Sequence, residues 1–376
     1  MNVTVLAPYF TPAVLAGGPA RTLDALTAAA GADHRVHVVT RDHDLGSTEP
    51  FTATRRVTDQ PRRAVEYVRA DGIGGAVRVA RALRRSGPTD LLYLNSLLDP
   101  TFSILPLLLT RVRLLRPTRV LLAPRGECSP AALSHRGRRK RLFLSAAKLL
   151  RLHDGVQWHA SSPDEAGHIR ELMGAGLEVV VRENEVDLPR RSIRALLPDD
   201  DRLHLVFLAR LVEHKGLHRV LEALVGIDRP VLLDVAGPAQ DPAYEQRCRR
   251  LTEALPEQVR VRFLGPLDGA ESLAAIRRGH AFITASASEN FGRTIAEALA
   301  MGRPVLAPDT TPWTSRLADG GGSVVTGGGV TEWTRVLREW AGLSPAGLAE
   351  RAGRAADVYD RWRSSTAPHV FDLLDD

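Results

Sequence analysis

Cysteine is scarce in this sequence, and its scarcity excludes several classes of protein. Only Cys128 and Cys248 occur among the 376 residues, far apart and without Cys or His neighbours at the spacing of metal ligands. A disulfide-based secreted scaffold and a structural zinc site are therefore not expected. Two reduced thiols are typical of a protein from a reducing compartment.

Long hydrophobic runs are missing as well. The longest apolar stretch, 102–109, contains Pro106, and it is much shorter than the roughly 18 residues that indicate a membrane-spanning helix. Residues 2–7 are typical of a buried strand, not of a charged and apolar leader peptide. These features predict a cytoplasmic protein without a spanning helix.

Lysine is the third scarce residue, because only Lys140, Lys148 and Lys215 are present and arginine carries most of the positive charge. The formal net charge is +6 and the sequence pI is about 9.8. Aromatic residues make up 5% of the chain, and in the basic run 135–144 they do not interleave with the charges, which argues against a nucleic-acid partner. The length predicts two domains.

Two halves of the chain alternate apolar runs with amphipathic stretches, as doubly wound α/β domains with parallel sheets do. In the first half we predict strands at 2–7, 35–40, 91–94 and 119–123, and helices at 21–30 and 102–115. In the second half we predict strands at 203–209, 231–236, 259–264, 281–284 and 305–307, and helices at 216–225, 244–254, 273–279 and 295–301. The glycine runs 320–322 and 327–329 are typical of turns around one more short strand.

These elements predict two Rossmann-like domains, residues 1–187 and 188–355, that face each other across a cleft. The stretch 188–201 has Pro near both ends and mixed charge, which is typical of a linker. The segment 356–376 is predicted to be a C-terminal helix that crosses back to the first domain. Gly72 to Gly75 precede a predicted helix but follow no convincing strand, so they are interpreted as a turn and not as a phosphate-binding loop.

The strongest functional signal is the string SENFGRTIAEALAMGRPV at 288–305. A predicted strand is followed by a short loop and by a helix that starts near Phe291 or Gly292, and the N-terminus of such a helix suits an anion. Glu289 precedes this helix and Glu297 lies inside it. The two carboxylates can therefore meet different parts of one extended ligand.

A second signal is the segment ARLVEHKGL, in which Arg210 and Lys215 follow the first predicted strand of the second half. A loop that leaves the carboxyl end of a parallel strand faces the ligand crevice. Two fixed cations there can neutralise a diphosphate leaving group, which stabilises charge that develops in the transition state.

Weaker signals lie in the first half. Gly17 and Gly18 stand between the first strand and the first helix, where glycine lets the backbone approach a ligand closely. Asn95 and Arg125 follow two further predicted strands. The glycine spacing is not the G-x-G-x-x-G of a dinucleotide site, which disfavours a nicotinamide oxidoreductase.

Together these motifs resemble the retaining glycosyltransferases of family 4, which have the GT-B fold. The resemblance rests on Glu-x7-Glu at 289–297, Arg-x4-Lys-Gly at 210–216, and the segments 17–19, 123–130 and 161–165. It implies transfer of a hexosyl group from a nucleoside-diphosphate sugar to a hydroxyl. A UDP-sugar is favoured over a GDP-sugar as the donor. Configuration would be retained, and no metal or other cofactor would be required.

The resemblance also implies roles for particular residues. Glu289, Arg210 and Lys215 form the catalytic set, with Glu289 on the hydroxyls of the transferred sugar and Glu297 on the ribose. The remaining donor-side residues are the backbone of Asn290, Phe291 and Gly292 at the sugar, Arg293 and Thr294 near the diphosphate, and the Gly17–Gly18 loop over the phosphates. Asn95 and Arg125 border the acceptor, and Arg125 is a candidate for a donor-phosphate or acceptor contact.

Two positions depart from the family pattern. Asn95 stands where many relatives carry His, and an amide cannot take up a proton, so no general base is assigned. Glu185 stands where relatives usually have Gly, which puts the local turn in doubt. A sugar-nucleotide-binding protein without transfer activity therefore remains an alternative.

The acceptor is open. A glycan or lipid-linked acceptor in cell-surface polysaccharide biosynthesis is the first expectation, and a soluble natural-product scaffold is the second. The basic segment 135–152 suits peripheral contact with the anionic inner membrane surface or with a phosphorylated acceptor. A helix face that is simply solvated is the alternative interpretation of the same charges. Asp199–Asp201 contains an Asp-x-Asp pattern, but in a linker it is interpreted as a solvated acidic run.

Overall fold

The computed structural model of the chain describes residues 1–51, 62–134, 144–145, 147–148, 150–194, 196–198, 201–365 and 367–374. The chain divides into two compact units. Unit 1 comprises Met1–Asp187 and Ala367–Asp376, and unit 2 comprises Leu188–Thr366. In these residues, each helix is too short or too polar to cross a lipid bilayer. Most of the basic run (135–143, 146 and 149), and Asp199 and Asp200, lie outside the described residues.

Unit 1 is built on a parallel sheet of seven strands. The strands are β1 Asn2–Leu6, β2 Arg35–Arg41, β3 Arg63–Val68, β4 Leu91–Leu94, β5 Arg119–Leu122, β6 Val156–Ala160 and β7 Val179–Val181. The helices are α1 Gly18–Ala28, α2 Gly72–Arg85, α3 Leu105–Arg111, α4 Pro130–Ser134 and α5 Pro163–Met173. The strand order is β3-β2-β1-β4-β5-β6-β7, and every pairing is parallel.

Successive residues of the central strands bury their side chains on opposite faces of this sheet. In β4, Leu91 and Tyr93 pack in one hydrophobic cluster, whereas Leu92 and Leu94 pack in another. A strand that is buried on both faces favours a nearly continuous apolar sequence. This requirement explains why LLYL forms an interior strand.

Unit 2 contains a parallel sheet of six strands. The strands are β8 Leu203–Leu208, β9 Val231–Ala236, β10 Val259–Gly265, β11 Ala281–Ile283, β12 Val305–Pro308 and β13 Gly322–Val325. The helices are α6 Leu217–Leu224, α7 Pro242–Thr252, α8 Gly269–Arg278, α9 Arg293–Ala300, α10 Thr314–Arg316, α11 Val330–Ala341 and α12 Pro345–Ser364. The strand order is β10-β9-β8-β11-β12-β13, again parallel throughout.

The prediction of parallel α/β sheets in both halves is confirmed, as is the short strand between the two glycine runs, which is β13. The interpretation of Gly72–Gly75 as a turn without a preceding strand is wrong. Strand β3 precedes these residues, and helix α2 begins at Gly72. Sequence reasoning missed β3 because it is an edge strand that carries Arg63 and Glu66, so it lacks a continuous apolar run.

Two predicted helices have different bounds in the structure. The predicted helix 102–115 consists of a π-helical turn, Pro100–Ile104, and of α3, which ends at Arg111. The predicted helix 356–376 begins earlier, at Pro345, and ends at Ser364. Among the described residues beyond it, a 3₁₀ turn at Asp372–Leu374 is the one helical element, and Phe371 is buried in a hydrophobic cluster of unit 1.

In each sheet the order of strands reverses once along the chain. The reversal lies between the neighbouring strands β1 and β4 in unit 1, and between β8 and β11 in unit 2. In open α/β sheets, ligands bind outside the carboxyl ends of the two strands that flank such a reversal. The loops after β8 and β11 are therefore the first place to look for a site in unit 2.

Two adjacent glycines of α2 test how tightly this helix packs. A Cβ atom on Gly75 would lie 2.2 Å from the backbone carbon of Ala70, whereas one on Gly74 would approach only the Arg78 side chain, at 3.5 Å. We expect Gly75→Ala to lower the free energy of unfolding by about 1–3 kcal/mol through overpacking. Gly74→Ala, the matched control, should raise it by about 0.5–1 kcal/mol through helix propensity. Urea denaturation followed by circular dichroism measures both, and equal effects would contradict the packing.

Candidate functional site

The candidate site lies at the carboxyl ends of β8 and β11 in unit 2. The loop after β8 contains a 3₁₀ turn, Glu213–Lys215, and passes directly against the loop after β11. Gly216 permits this approach, because its φ of 74° is left-handed and a Cβ there would lie 2.1 Å from the Ala285 carbonyl oxygen. The Ala287 N–H donates to the His214 carbonyl at 2.8 Å, which joins the two loops.

Lys215 and Glu289 form an ion pair across these loops. The Lys215 Nζ lies 2.6 Å from the Glu289 Oε1 and 3.4 Å from the Ser286 Oγ. Both side chains are mostly buried, with 18% and 17% of their surface exposed. The structure therefore brings together two of the three predicted catalytic residues, which are 74 positions apart in the sequence.

Arg210 adds a second cation near this pair. Its Nη1 donates to the Gln240 Oε1 at 2.7 Å. Burial lowers the pKa of the Arg210 guanidinium, and the Glu289 carboxylate raises it. Burial also lowers the pKa of His214, as do Lys215 and Arg210, while Glu289 raises it. Arg210, His214, Lys215 and Glu289, which we call the β8–β11 cluster, thus interact electrostatically. The lowered pKa makes His214 neutral at pH 7.

Helix α9 begins beside the β11 loop. Gly292 is its N-cap, with a left-handed φ of 76°, and Arg293 and Thr294 form its first turn. The Phe291 ring packs against Trp313, with 5.8 Å between ring centroids, and the Trp313 Nε1 donates to the Phe291 carbonyl. This anchor fixes the helix start, whose outward-pointing N–H groups suit an anion.

The second glutamate of the predicted pair has a different environment. Glu297 is fully buried, and its Oε1 accepts from the Arg293 Nε at 3.0 Å, one helical turn away. The Arg293 side chain is 8% exposed. In this structure the Arg293 guanidinium therefore binds Glu297 inside α9, and the predicted contacts of Arg293 with a diphosphate and of Glu297 with a ribose remain predictions.

In unit 1, the predicted glycine loop follows β1. Gly17 has a left-handed φ of 70°, and no atom lies within 4 Å of a Cβ built on Gly17 or on Gly18. The Asp44 carboxylate accepts from the backbone N–H groups of residues 14, 15 and 16 at 2.8–3.2 Å. Asp44 thus holds residues 14–16 of the loop by hydrogen bonds, while the space beside Gly17 and Gly18, at the start of α1, is unoccupied by atoms of the described residues.

Asn95 and Arg125, the predicted acceptor-side residues, are in direct contact. The Arg125 Nε donates to the Asn95 Oδ1 at 2.8 Å. The Arg125 Nη1 donates to the Asn184 Oδ1, and the Nη2 donates to the Tyr93 hydroxyl. All four residues, which we call the Arg125 cluster, belong to unit 1.

Sequence reasoning missed one residue of the β8–β11 cluster, His214, and two residues that contact it, Gln240 and Ser286. In the Arg125 cluster it missed Tyr93 and Asn184. Asn184 directly precedes Glu185, which departs from the family pattern, so the sequence offers a signal close to it. For Ser286 and Gln240 the sequence offers no comparable signal.

In the described ranges, no group of three His, Cys, Asp or Glu side chains is placed to hold a metal ion.

The second half of the chain has a clear family match. Residues 190–357 match the family described as "Glycosyl transferases group 1". This match covers most of unit 2 and includes every residue of the β8–β11 cluster.

Two curated relatives are glycosyl-transferring enzymes by name. The chain is 32% identical to glycogen synthase of Mycobacterium tuberculosis over 215 residues, which are 52% of this chain and 47% of that protein. It is 31% identical to D-rhamnosyltransferase WbpZ of Pseudomonas aeruginosa over 157 residues, 41% of this chain and 39% of that protein. The matched part spans less than half of each relative.

The solved structures confirm the predicted fold class. HepE of Anabaena, crystallised with UDP and glucose, superposes with a TM-score of 0.72 at 19% identity, covering 96% of this chain and 95% of HepE. Sucrose-phosphate synthase of Thermosynechococcus elongatus gives 0.70 at 16% identity, with 96% and 94% coverage. The chain has the GT-B fold, with two Rossmann-like parallel-sheet units.

The pKa of His214 reports whether the β8–β11 cluster exists in solution. Lys215→Met removes a cation and should raise this pKa, while Glu289→Gln removes an anion and should lower it further. Histidine proton NMR over a pH series, with the signal assigned from a His214→Gln variant, measures both shifts. Glu213→Gln is the control, because Glu213 adjoins His214 in sequence but its carboxylate pairs with Arg247, outside the cluster. Shifts of the opposite sign would contradict the geometry.

Proposed function

We propose that this chain is a retaining glycosyltransferase that moves a hexosyl group from a nucleoside-diphosphate sugar to an acceptor hydroxyl. The observation that carries the proposal is the Lys215–Glu289 ion pair beside Arg210 at the strand-order reversal of unit 2. The N-terminus of α9 follows on the same loop. The group 1 match over residues 190–357 supports the same assignment.

The proposed chemistry depends on the charge of the leaving group. When the bond between the sugar C1 and the diphosphate oxygen breaks, that oxygen gains negative charge. Arg210 and Lys215 would stabilise this charge, as fixed cations in a partly buried site do at low reorganisation cost. The amide groups that open α9 would add further positive potential.

Glu289 has two partners in this proposal. Its carboxylate holds Lys215 in position, and its remaining acceptor capacity would bind hydroxyls of the transferred sugar. The acceptor oxygen forms the new bond to C1, and its proton passes to the leaving diphosphate, since the Asn95 amide cannot take it up. Retention of configuration is the part of the proposal that rests on the Glu-x7-Glu resemblance.

Donor and acceptor identity are proposed in the same way. The UDP and glucose named in the HepE complex make UDP-hexoses the first donors to test. The name glycogen synthase favours a glycan acceptor, and we propose a glycan or lipid-linked acceptor of cell-surface polysaccharide biosynthesis. A cytoplasmic location, peripheral contact with the inner membrane through 135–152 and independence of metal belong to this proposal.

Two substitutions in the β8–β11 cluster test the proposal. Lys215→Ala should weaken UDP binding about ten- to a hundred-fold, because a hydrogen bond to a charged group contributes about 1.5–3 kcal/mol. Glu289→Ala should lower turnover of a UDP-hexose much more than it lowers UDP affinity. Isothermal titration and product detection by mass spectrometry measure the two effects.

Lys148→Ala is the matched control for Lys215→Ala, because it also removes a lysine but lies in unit 1, where its Nζ donates to the Leu172 carbonyl. It should leave UDP affinity unchanged. Unchanged binding and turnover in both cluster variants would refute the assigned site. Nucleotide binding without product on a panel of glycan, lipid-linked and natural-product acceptors would instead favour a sugar-nucleotide-binding protein.

A further inference from the structure

Arg125 is held in an unfavourable backbone conformation. Its φ of 55° is left-handed, a region that non-glycine residues other than Asn and Asp rarely adopt. The surrounding chain enforces it. The next N–H, of Gly126, donates to the buried Glu165 Oε1 at 2.7 Å, and Glu127 accepts from Leu97 and Leu98 N–H groups at 2.6 and 2.9 Å. Such over-determined strain points to a function for the side chain.

The Arg125 guanidinium is oriented by neutral oxygens only. Its Nε binds the Asn95 amide oxygen at 2.8 Å, and its terminal nitrogens bind the Asn184 amide oxygen and the Tyr93 hydroxyl. The Tyr93 hydroxyl in turn donates to the His159 Nδ1 at 2.9 Å. Burial lowers the pKa of His159 to about 3, so this imidazole is neutral and contributes no second charge.

Three other partly buried arginines of unit 1 have a carboxylate partner. Arg41 pairs with Asp99 at 3.0 Å, Arg63 with Asp24 at 2.7 Å, and Arg182 with Glu185 at 2.5 Å. These arginine side chains are 15–17% exposed. A guanidinium removed from water is usually compensated in this way.

Arg125 is also partly buried, yet within the described part of unit 1 it has no ion pair. Glu165 is close along this segment, but its carboxylate is occupied by the N–H groups of Gly126 and Ser161 and by the Ser161 hydroxyl, at 2.7–2.8 Å. The positive charge of Arg125 is therefore oriented by the protein without a paired carboxylate. A bound anion would supply that partner.

We propose that the Arg125 cluster binds an oxyanion of the acceptor, a carboxylate or a phosphate, so that the transferase acts on an acidic acceptor. A guanidinium has five N–H donors, and the described contacts use three of them. One donor is left on each terminal nitrogen, an arrangement that matches the two oxygens of a carboxylate or phosphate. The assignment to the acceptor rests on the proposed function, whereas the oxyanion site itself does not.

Isothermal titration of the full chain saturated with UDP tests the site, because UDP would occupy the cations of unit 2. The probes are inorganic phosphate, glucuronate and glucose. We expect phosphate or glucuronate to bind and glucose to bind at least ten-fold more weakly. If the chain does not bind UDP at all, the proposed donor site fails, and the oxyanion titration is repeated on the Lys215→Ala variant, in which unit 2 lacks that lysine. Oxyanion binding by this variant would still report on the Arg125 cluster, so the two proposals stay distinguishable.

Three variants make this test specific. Arg125→Gln should weaken oxyanion binding at least ten-fold. Asn184→Asp, which keeps the size of the side chain and places a carboxylate on the guanidinium, should do the same even if Arg125→Gln fails to fold. Arg63→Gln is the matched control, since it also removes a partly buried arginine charge of unit 1, but one that already has a carboxylate partner, and it should have no effect.

Several results would overturn the proposal. One is that neither oxyanion binds, and another is that Arg125→Gln and Asn184→Asp retain wild-type affinity. A third is that Arg63→Gln loses as much affinity as they do. If Arg125→Gln instead lowers UDP affinity ten-fold and leaves oxyanion binding intact, Arg125 serves the donor diphosphate and the acceptor assignment is wrong.

Discussion

The ion pair between Lys215 and Glu289 is the contact on which the site in unit 2 depends. A mostly buried pair loses hydration, and it is stable only when geometry and additional hydrogen bonds compensate this loss. Here the compensation comes from the backbone, because Gly216 allows the β8 loop to lie against Ala285 and the His214 carbonyl binds the Ala287 N–H. The two charges are consequently fixed before any ligand arrives.

This arrangement leaves the β8–β11 cluster with a net positive charge. Arg210 and Lys215 are cationic, Glu289 is anionic, and the lowered pKa of His214 keeps that side chain neutral at pH 7. The N-terminus of α9 adds positive potential from the same loop. A phosphate-bearing ligand would gain attraction from all of these groups without requiring them to reorganise, which is the property that electrostatic catalysis needs.

The sequence predicted the sheets well where burial alone determines a strand. Runs such as Leu203–Leu208 and Val231–Ala236 are mostly apolar and almost entirely buried, and their two polar residues, His204 and Asp234, are in contact with each other. It failed at β3, where Arg63 and Glu66 interrupt the apolar pattern at a sheet edge. It also misplaced the end of the last helix, because Phe371 leaves the helical pattern to pack in the core of unit 1.

Contacts within the site were only partly predictable. The motifs identified Lys215, Glu289, Asn95 and Arg125, but their pairing depends on the order of strands in each sheet, which residues distant in sequence decide together. Asn184 joins Arg125 across 59 positions, and no local pattern encodes that contact. The Arg293–Glu297 pair, by contrast, follows from helical spacing of four residues and was within reach of the sequence.

The most direct test of the account is the difference in affinity between UDP and UMP. If Arg210, Lys215 and the start of α9 converge on a diphosphate, the wild-type chain should bind UDP far more tightly than UMP. Lys215→Ala should reduce that ratio at least ten-fold while leaving UMP affinity nearly unchanged. An equal affinity for UDP and UMP in the wild-type chain, or a ratio that Lys215→Ala does not alter, would contradict the central claim.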